Sequence, residues 1–582
     1  MAVGTRGLNT NWRLWAVVAA MALGGVIVVL RLAQLQILDH QQYATEARQT
    51  HISQEIVSDR RGALLDRNGY PLAASEDAFN VMVERRAWAQ PDEAATAASK
   101  ISAVTHVSTP EILSLVAGTD VFEVPVASGL DYEQATAVRK LGLPGVRLLE
   151  SSRRVYPEGN LAAQLLGFVG HDGAGLSGLE ADLEPTLGGA KGTLTFERDG
   201  LGNQIAVGSR NETPSQPGAN VVLTIDRLIQ RLAEKELQKA ITAHKASGGT
   251  VIVVQPKTGQ ILAMASNPMA DLTKPDLSDE SKLALFRNRA ITDPYEPGSV
   301  FKLVTASAAL DLGLVSPDTW WYDEGVVNLS GWSIHNWDFS ANGSQTVQQI
   351  LSKSLNTGAA WLSSLCGPDR FYDYVHRFGF GSPTGIGLSG EAAGQVRTPQ
   401  NDPDNWRAVD MATNSFGQGI SVTPLQMAMA VAAIANDGLA MKPQIVKEIA
   451  GPGGTQAIPP EPARQVMSAD ASRTLRQMMG VVVNGINKSF LDVQGYKVGG
   501  KTGTANIATG TGVYKPDAYI SSFVGIAPLD DPQLAILVKI DEPKDVPWGT
   551  VVAAPVFGHI VEASLPYLKV PPTEPVLVSN LP

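Results

Sequence analysis

Cysteine is almost absent: Cys366 stands alone among 582 residues, which excludes an intramolecular disulfide and any cysteine-based metal cluster. A buried helix thiol is the preferred reading. Histidine is scarce too, with eight in all. None forms an HExxH arrangement or a pair at helical metal-ligand spacing beside acidic residues, so neither a metal nor another cofactor is expected. Basic excess is also missing. Lys and Arg number 46 against 57 Asp and Glu, a formal net charge of −11, which is the wrong sign for neutralising phosphates and argues against nucleic acid as a partner. Long apolar runs are missing as well, save one.

That run, residues 14–30, is about 17 residues long, at the short end of what spans a hydrocarbon core. Arg6 and Arg13 precede it, which places the N-terminus in the cytoplasm by the positive-inside rule and everything after about position 40 outside. Ala20-Met21-Ala22 resembles a signal-peptide cleavage site, yet it lies in mid-run, and an uncleaved single-pass anchor in the cell membrane is the expectation. Leu32, Leu35 and Leu38 recur at helical spacing, so the helix should leave the bilayer as a stalk. The expected units are a cytoplasmic tail (1–13), anchor and stalk (14–38), an exported pedestal (39–215), a second, larger domain (216–570) and a C-terminal tail (571–582). A hydrophobic content of 44% supplies sizeable cores for them.

The exported part should open with a strand over 60–67 and a tight turn at Asn68-Gly69, the strongest short hairpin signal. Gly173-Ala174-Gly175-Leu176-Ser177-Gly178 matches the dinucleotide fingerprint, with Glu197 some 20 residues on. Pro185 and Gly188-Gly189 break the helix that fingerprint requires, so a structural loop is the better reading. After 216 the expected elements are a strand at 221–226, a helix at 228–242, a hairpin of 250–254 with 261–265, a mostly helical stretch, and strands at 519–527 and 533–540. Strands at both ends of a domain flanking helices imply an α+β fold around an antiparallel sheet of distant segments.

Ser299 and Lys302 interrupt the first turn of an otherwise apolar helix starting at Pro297. Three residues apart, they share a face, and the helix N-terminus favours negative charge near Ser299. A lysine held among apolar residues loses solvation, and its neutral form can take a serine proton. The alternative is a lysine that snorkels to the surface. Ser354-Leu355-Asn356 can converge only if the segment leaves the helix. It could then relay a proton and hold a peptide, or it could be an ordinary polar turn, as the chance copy Ser209-Arg210-Asn211 warns. Lys501-Thr502-Gly503-Thr504 puts two hydroxyls on one strand face beside an ammonium, a clamp for a carboxylate, and Gly503 would let a substrate backbone come close. A second copy, Lys257-Thr258-Gly259, falls in a hairpin turn and is discounted.

In that order, Ser299-Val300-Phe301-Lys302, Ser354-Leu355-Asn356 and Lys501-Thr502-Gly503-Thr504 resemble the three motifs of the penicillin-binding protein and serine β-lactamase superfamily. The likeness extends through Arg61-Gly62, Asp66-Arg67-Asn68-Gly69, 175–180, Leu223-Thr224-Ile225-Asp226, Phe416-Gly417-Gln418-Gly419 and Ala554-Pro555-Val556-Phe557 to class B penicillin-binding proteins. Residues 288–299 look most like the division-specific, FtsI-like branch. Val300 departs from a frequent threonine, and Trp548-Gly549 from a common Gly-Gly.

The resemblance implies a transpeptidase domain, a five-stranded antiparallel sheet with helices on both faces, on an elongated α+β pedestal. It implies a D,D-transpeptidase that cross-links peptidoglycan stem peptides during septal wall synthesis and is acylated by β-lactams. It makes Ser299 the nucleophile, Lys302 its base, and Ser354 with Lys501 the proton path to the leaving D-alanine. Asn356, Thr502, Gly503 and Thr504 would bind substrate, with no metal or cofactor. It further implies a SEDS-type, FtsW-like polytopic glycosyltransferase and division proteins as partners. The rival readings are a carboxypeptidase or β-lactamase using the same serine, and a non-catalytic penicillin sensor or scaffold.

Overall fold

A computed structural model describes residues 11–41, 43, 52–57, 59–119, 121, 123–170, 172–197, 205, 208–273, 275, 279–509 and 513–575. Most of the expected cytoplasmic tail and the end of the C-terminal tail lie outside them. Helix α1 (Asn11–Ala33) contains the apolar run and continues through a wider helical turn, Gln34–Leu38, as the leucine spacing suggests. At 23 residues it extends about 35 Å, long and apolar enough to cross a membrane, and none of it is buried.

The pedestal is built on the long strand Pro71–Glu84, which pairs antiparallel with Glu123–Leu130 and Val146–Val155. It is preceded by Leu64–Leu65 and a turn in which Gly69 takes φ +87°. The Asp66 carboxylate accepts the Asn68 and Tyr70 N–H groups there (2.8 and 2.9 Å). One strand precedes this expected beginning: Ile52–Val57 pairs with Gly192–Glu197, which pairs with Arg210–Thr213. The dinucleotide-like glycines are packing devices. A Cβ on Gly175 would fall 2.0 Å from the Glu180 carbonyl oxygen, so this loop folds back on itself.

The two segments Arg61-Gly62 and 175–180 meet in a buried ionic cluster. The Glu180 carboxylate, fully buried, accepts from Arg61 Nε (2.6 Å) and Arg154 Nε (2.7 Å), and Arg61 Nη1 reaches Glu184 (2.6 Å). Arg154 also donates to the Gly62 carbonyl (2.8 Å). These bonds fasten the start of the pedestal to its middle.

The expected boundary near 216 is not a free linker. Strand Asn220–Leu223 pairs in parallel with Leu64–Leu65 and antiparallel with Val446–Gly451, so the pedestal sheet includes strands from beyond residue 216. At Asp226 the chain turns into helix α2 (Arg227–His244), whose first amides its carboxylate caps (3.0 and 3.3 Å). That capping carboxylate is expected on N-terminal propensity.

The larger unit is built on strands β1 (Gly248–Gln255), β2 (Gln260–Asn267), β3 (Gly499–Ala508), β4 (Tyr514–Ala527) and β5 (Leu534–Asp541). They run in the order β2-β1-β5-β4-β3, every pairing antiparallel. The residues of β1, β2 and β5 are apolar and buried almost throughout, as a sheet covered on both faces requires. Helices α2 and α8 (Ala554–Tyr567) cover one face. The helices α3 (Lys302–Asp311), α6 (Pro424–Ala435) and α7 (Ala469–Asn484) lie with the other core. The sheet thus joins residues near 250 to residues near 540, the α+β arrangement expected.

Glu180→Ala leaves the buried Arg154 guanidinium without its carboxylate and Arg61 with Glu184 alone, so it should destabilise the pedestal by about 3–5 kcal/mol, read from the chemical-denaturation midpoint of the solubilised protein. Asp77→Ala removes only the exposed partner of Arg60 and should leave that midpoint nearly unchanged.

Candidate active site

Ser299 sits one turn earlier than a simple helix would place it. Gly298–Phe301 forms a 3-10 turn, and α3 begins only at Lys302. Tight packing imposes the turn. Gly298 takes φ +61° and donates its N–H to the Gly417 carbonyl (3.0 Å). A Cβ on Gly417 would come within 2.2 Å of the Gly298 carbonyl oxygen. In a 3-10 turn residues i and i+3 eclipse, and the Lys302 N–H donates to the Ser299 carbonyl. Ser299 and Lys302 therefore do share a face. Ser299 is half-buried, and its side chain makes no hydrogen bond among the described residues.

Lys302 does not snorkel; it is 1% exposed. Its Nζ donates to the Ser354 carbonyl (2.6 Å), Ser354 Oγ (3.2 Å) and Asn356 Oδ1 (2.9 Å). Helix α4 (Val347–Lys353) ends where Ser354 enters the left-handed region at φ +56°. Leu355 is extended, and α5 (Asn356–Cys366) starts at Asn356. This break turns the Ser354 and Asn356 side chains to one side, as the i, i+2 spacing required. At the far end of α5, burial pushes the Cys366 thiol up to about 11.

The third segment comes from the edge strand β3. Lys501, also 1% exposed, donates to Ser354 Oγ (3.0 Å) and to the Thr502 carbonyl (3.1 Å). Ser354 Oγ thus accepts from both lysines. Burial, and secondarily the charge of Lys501, holds the Lys302 ammonium well below the usual lysine range; burial alone pulls Lys501 down to about 7. Neither lysine has a carboxylate partner among the described residues. Two ammonium groups this close cannot both stay charged cheaply.

Thr502 and Thr504 alternate with Lys501 along β3 and share the half-exposed face. Thr504 Oγ1 donates to the Pro547 carbonyl (3.3 Å), and the Thr502 side chain makes no hydrogen bond among the described residues. Gly503 also serves packing within the protein. A Cβ there would stand 2.4 Å from Ser522 Oγ, 3.0 Å from Val300 Cγ1 and 3.1 Å from the Pro297 carbonyl oxygen. Its missing side chain makes room for the turn that carries Ser299. The discounted copy of the motif is elsewhere: Lys257 lies in the β1–β2 turn, paired with Asp531 (2.7 Å).

Sequence reasoning missed the groups that hold these segments. Buried Asp323 accepts from Thr357 Oγ1 (2.9 Å), Asn336 Nδ2 (2.8 Å) and Asn342 Nδ2 (2.8 Å), while Asn336 Oδ1 accepts the Asn356 N–H (3.0 Å). Burial opposes its charge, but the hydrogen bonds from Gly325, Asn342 and Thr357 prevail and keep the carboxyl below its usual range. Glu296 accepts from the Gly419 N–H and Tyr514 OH (3.0 Å each), and burial pushes its carboxyl up. No local pattern marks either acid.

With this geometry in hand, comparison with known proteins is decisive. A profile of the penicillin binding protein transpeptidase domain matches residues 249–562, and one of the penicillin-binding protein dimerisation domain matches 56–223. The chain belongs to the class B penicillin-binding proteins. It is 34% identical to stage V sporulation protein D of Bacillus subtilis over 94% of its length and 85% of the relative's. It is 31% identical to peptidoglycan D,D-transpeptidase FtsI of Escherichia coli over 97% and 93%. Its fold aligns with penicillin-binding protein 3 of Mycobacterium tuberculosis complexed with aztreonam at a TM-score of 0.68 and 29% identity, covering 90% of this chain and all of that one.

In this penicillin-binding protein the paired lysines should titrate abnormally. The 13Cε shift of selectively labelled Lys302 should show a neutral amine far below pH 10.5, and Lys501→Gln, which removes a neighbouring positive charge, should move that titration to higher pH. Linkage gives a second reading. The unfolded chain keeps the Lys501 proton up to about 10.5, whereas the folded chain releases it near 7. This group therefore adds stability as pH rises through that interval.

Proposed function

We propose that Ser299 is the acylated residue of a peptidoglycan D,D-transpeptidase, and that Lys302 takes its proton. The observation that carries the reading is the shared Ser354 Oγ, bonded to two buried lysines that have no carboxylate partner among the described residues. With Lys302 neutral, Ser299 Oγ attacks the carbonyl between two terminal D-alanines, and its proton passes to Lys302. Ser354, its lone pairs directed at the lysines, passes a proton onward with Lys501 to the leaving D-alanine nitrogen as the peptide bond breaks. The amine of a neighbouring stem peptide then attacks the acyl ester and loses a proton to Lys302, which returns it to Ser299 Oγ as the ester bond breaks, so the free hydroxyl and the neutral amine are both restored.

Asn356 would hold the donor peptide through the amide N–H not given to the His335 carbonyl. Thr502 and Thr504, with Lys501 beside them, would hold its carboxylate. The backbone N–H groups of Ser299 and Thr504 form the oxyanion hole in this reading; a Cβ on the preceding Gly298 would lie 3.0 Å from the Thr504 carbonyl oxygen, so the two residues are close. Each such donor is commonly worth about 3 kcal/mol. β-Lactams would acylate Ser299 as mimics of the same peptide.

The relatives named for peptidoglycan transpeptidation and for sporulation favour wall synthesis at a septum. We assign the anchor a cytoplasmic N-terminus, with catalytic residues 216–570 carried outside on pedestal 39–215. A SEDS-type, FtsW-like polytopic glycosyltransferase is the partner proposed for the anchor and pedestal, because a fully exposed apolar helix presents a face to a second membrane protein.

Incubation with a fluorescent penicillin should label the solubilised protein with an adduct that lasts for hours, and Ser299→Ala should lower the labelling rate by about four orders of magnitude or more. Labelling that survives Ser299→Ala would overturn the assignment. An adduct lost within seconds would make the protein a hydrolase.

A further inference from the structure

Two tryptophans touch beside the Ser354–Asn356 and Lys501–Thr504 segments. The rings of Trp337 and Trp548 stand edge to face with centroids 5.4 Å apart, although the residues are 58% and 46% exposed. Each belongs to a different wall. Trp337 follows Asn336, whose Oδ1 accepts the Asn356 N–H (3.0 Å), and the His335 carbonyl before it accepts from Asn356 Nδ2 (3.0 Å). Trp548 follows Pro547, whose carbonyl accepts from Thr504 Oγ1 (3.3 Å) and Ser521 Oγ (2.7 Å). After it, Gly549 packs so near β3 that a Cβ would lie 2.7 Å from the Gly503 carbonyl oxygen. The ring contact therefore bridges the Ser354–Asn356 wall and the Lys501–Thr504 wall.

We propose that Trp337 and Trp548 form a latch across the mouth of the cleft that selects acyl donors by the bulk of their acylamino side group. The proposal rests on Ser299 as the acylated residue. Both backbones are tied down by the hydrogen bonds just named, so the latch opens by rotation of the rings. A small donor reaches Ser299 beneath the closed pair. A bulky one must wait for the rings to part, and its rate of acylation scales with the fraction of molecules that are open. Edge-to-face ring pairs are worth enough beyond their buried area to hold that fraction at roughly a tenth to a third. The side group that enters then meets two apolar ring faces, so the latch favours flat aromatic groups over branched charged ones.

The test compares second-order acylation constants for two probes, 6-aminopenicillanic acid as the small donor and a penicillin carrying a dye on its acylamino group as the bulky one. Trp337→Ala and Trp548→Ala should each raise the bulky-to-small ratio about threefold to tenfold. The double variant should rise no further than the larger single, because one contact can be removed only once. Trp548→Phe, which keeps a ring, should stay near the wild-type ratio. A ratio that is unchanged or falls in the single variants, or that multiplies in the double variant, overturns the latch. Both constants refer to labelling of Ser299, so labelling retained in Ser299→Ala sinks the proposed function, while a failed latch leaves it standing.

Discussion

One oxygen organises the active site. Ser354 Oγ lies within hydrogen-bond reach of two lysines, each almost completely shielded from water. A hydroxyl oxygen has two lone pairs, and here both are spent on ammonium donors. Its own proton is then the part left to give. With no carboxylate beside them among the described residues, the lysines are driven toward sharing fewer than two charges. In the proposed reaction the same arrangement would supply both a base and a proton donor. Burial first, and the charge of Lys501 second, push Lys302 toward the neutral form that its proposed role requires.

Holding two unpaired lysines together takes rigid surroundings, and these are mostly backbone. Gly298, Gly417 and Gly503 bring three chain segments closer than any side chain would permit. Gly417 presses on Gly298 on one side, and β3 presses on the Pro297 carbonyl and Val300 on the other. The 3-10 turn is the shape left between them. Asp323 does the same for the second wall with polar contacts, tying Asn336, Asn342 and Thr357 into one buried network that fixes the start of α5. A buried network of this kind specifies a single arrangement when every member is satisfied.

Much of this was legible from the residues alone. The apolar runs at 250–254, 261–265 and 533–540 match strands within a residue or two, because both faces of those strands are buried and demand apolar residues. Ser299, Lys302, Ser354 and Lys501 were found as a set because each lies in a local pattern whose spacing has geometric meaning. What was not legible depends on contacts between distant segments. Asp323 and Glu296 carry no neighbouring motif, and their partners lie as far off as Thr357 and Tyr514. The packing of Gly503 against the turn that carries Ser299 was missed, because sequence cannot tell which backbone approaches a glycine. The boundary near 216 was placed by a change of texture, whereas the strand that follows it is held by residues 64–65 and 446–451.

That shared sheet bears on how the protein reaches its substrate. A catalytic unit on a flexible linker would sample many heights above the membrane. Here Asp66 and Asp226 meet at the joint. Asp66 accepts the Arg227 N–H, and Asp226, besides capping α2, accepts from Asn68 and from the Tyr567 hydroxyl at the end of α8. The first turn of the pedestal, the entry to the catalytic unit and its last helix are therefore locked to one another by hydrogen bonds to two buried carboxylates. Rotation about this joint would expose both carboxylates' partners and tear strands from a common sheet. If Ser299 is the acylated residue and α1 the membrane anchor, as proposed, this stiffness would hold the reacting hydroxyl at a set distance from the membrane.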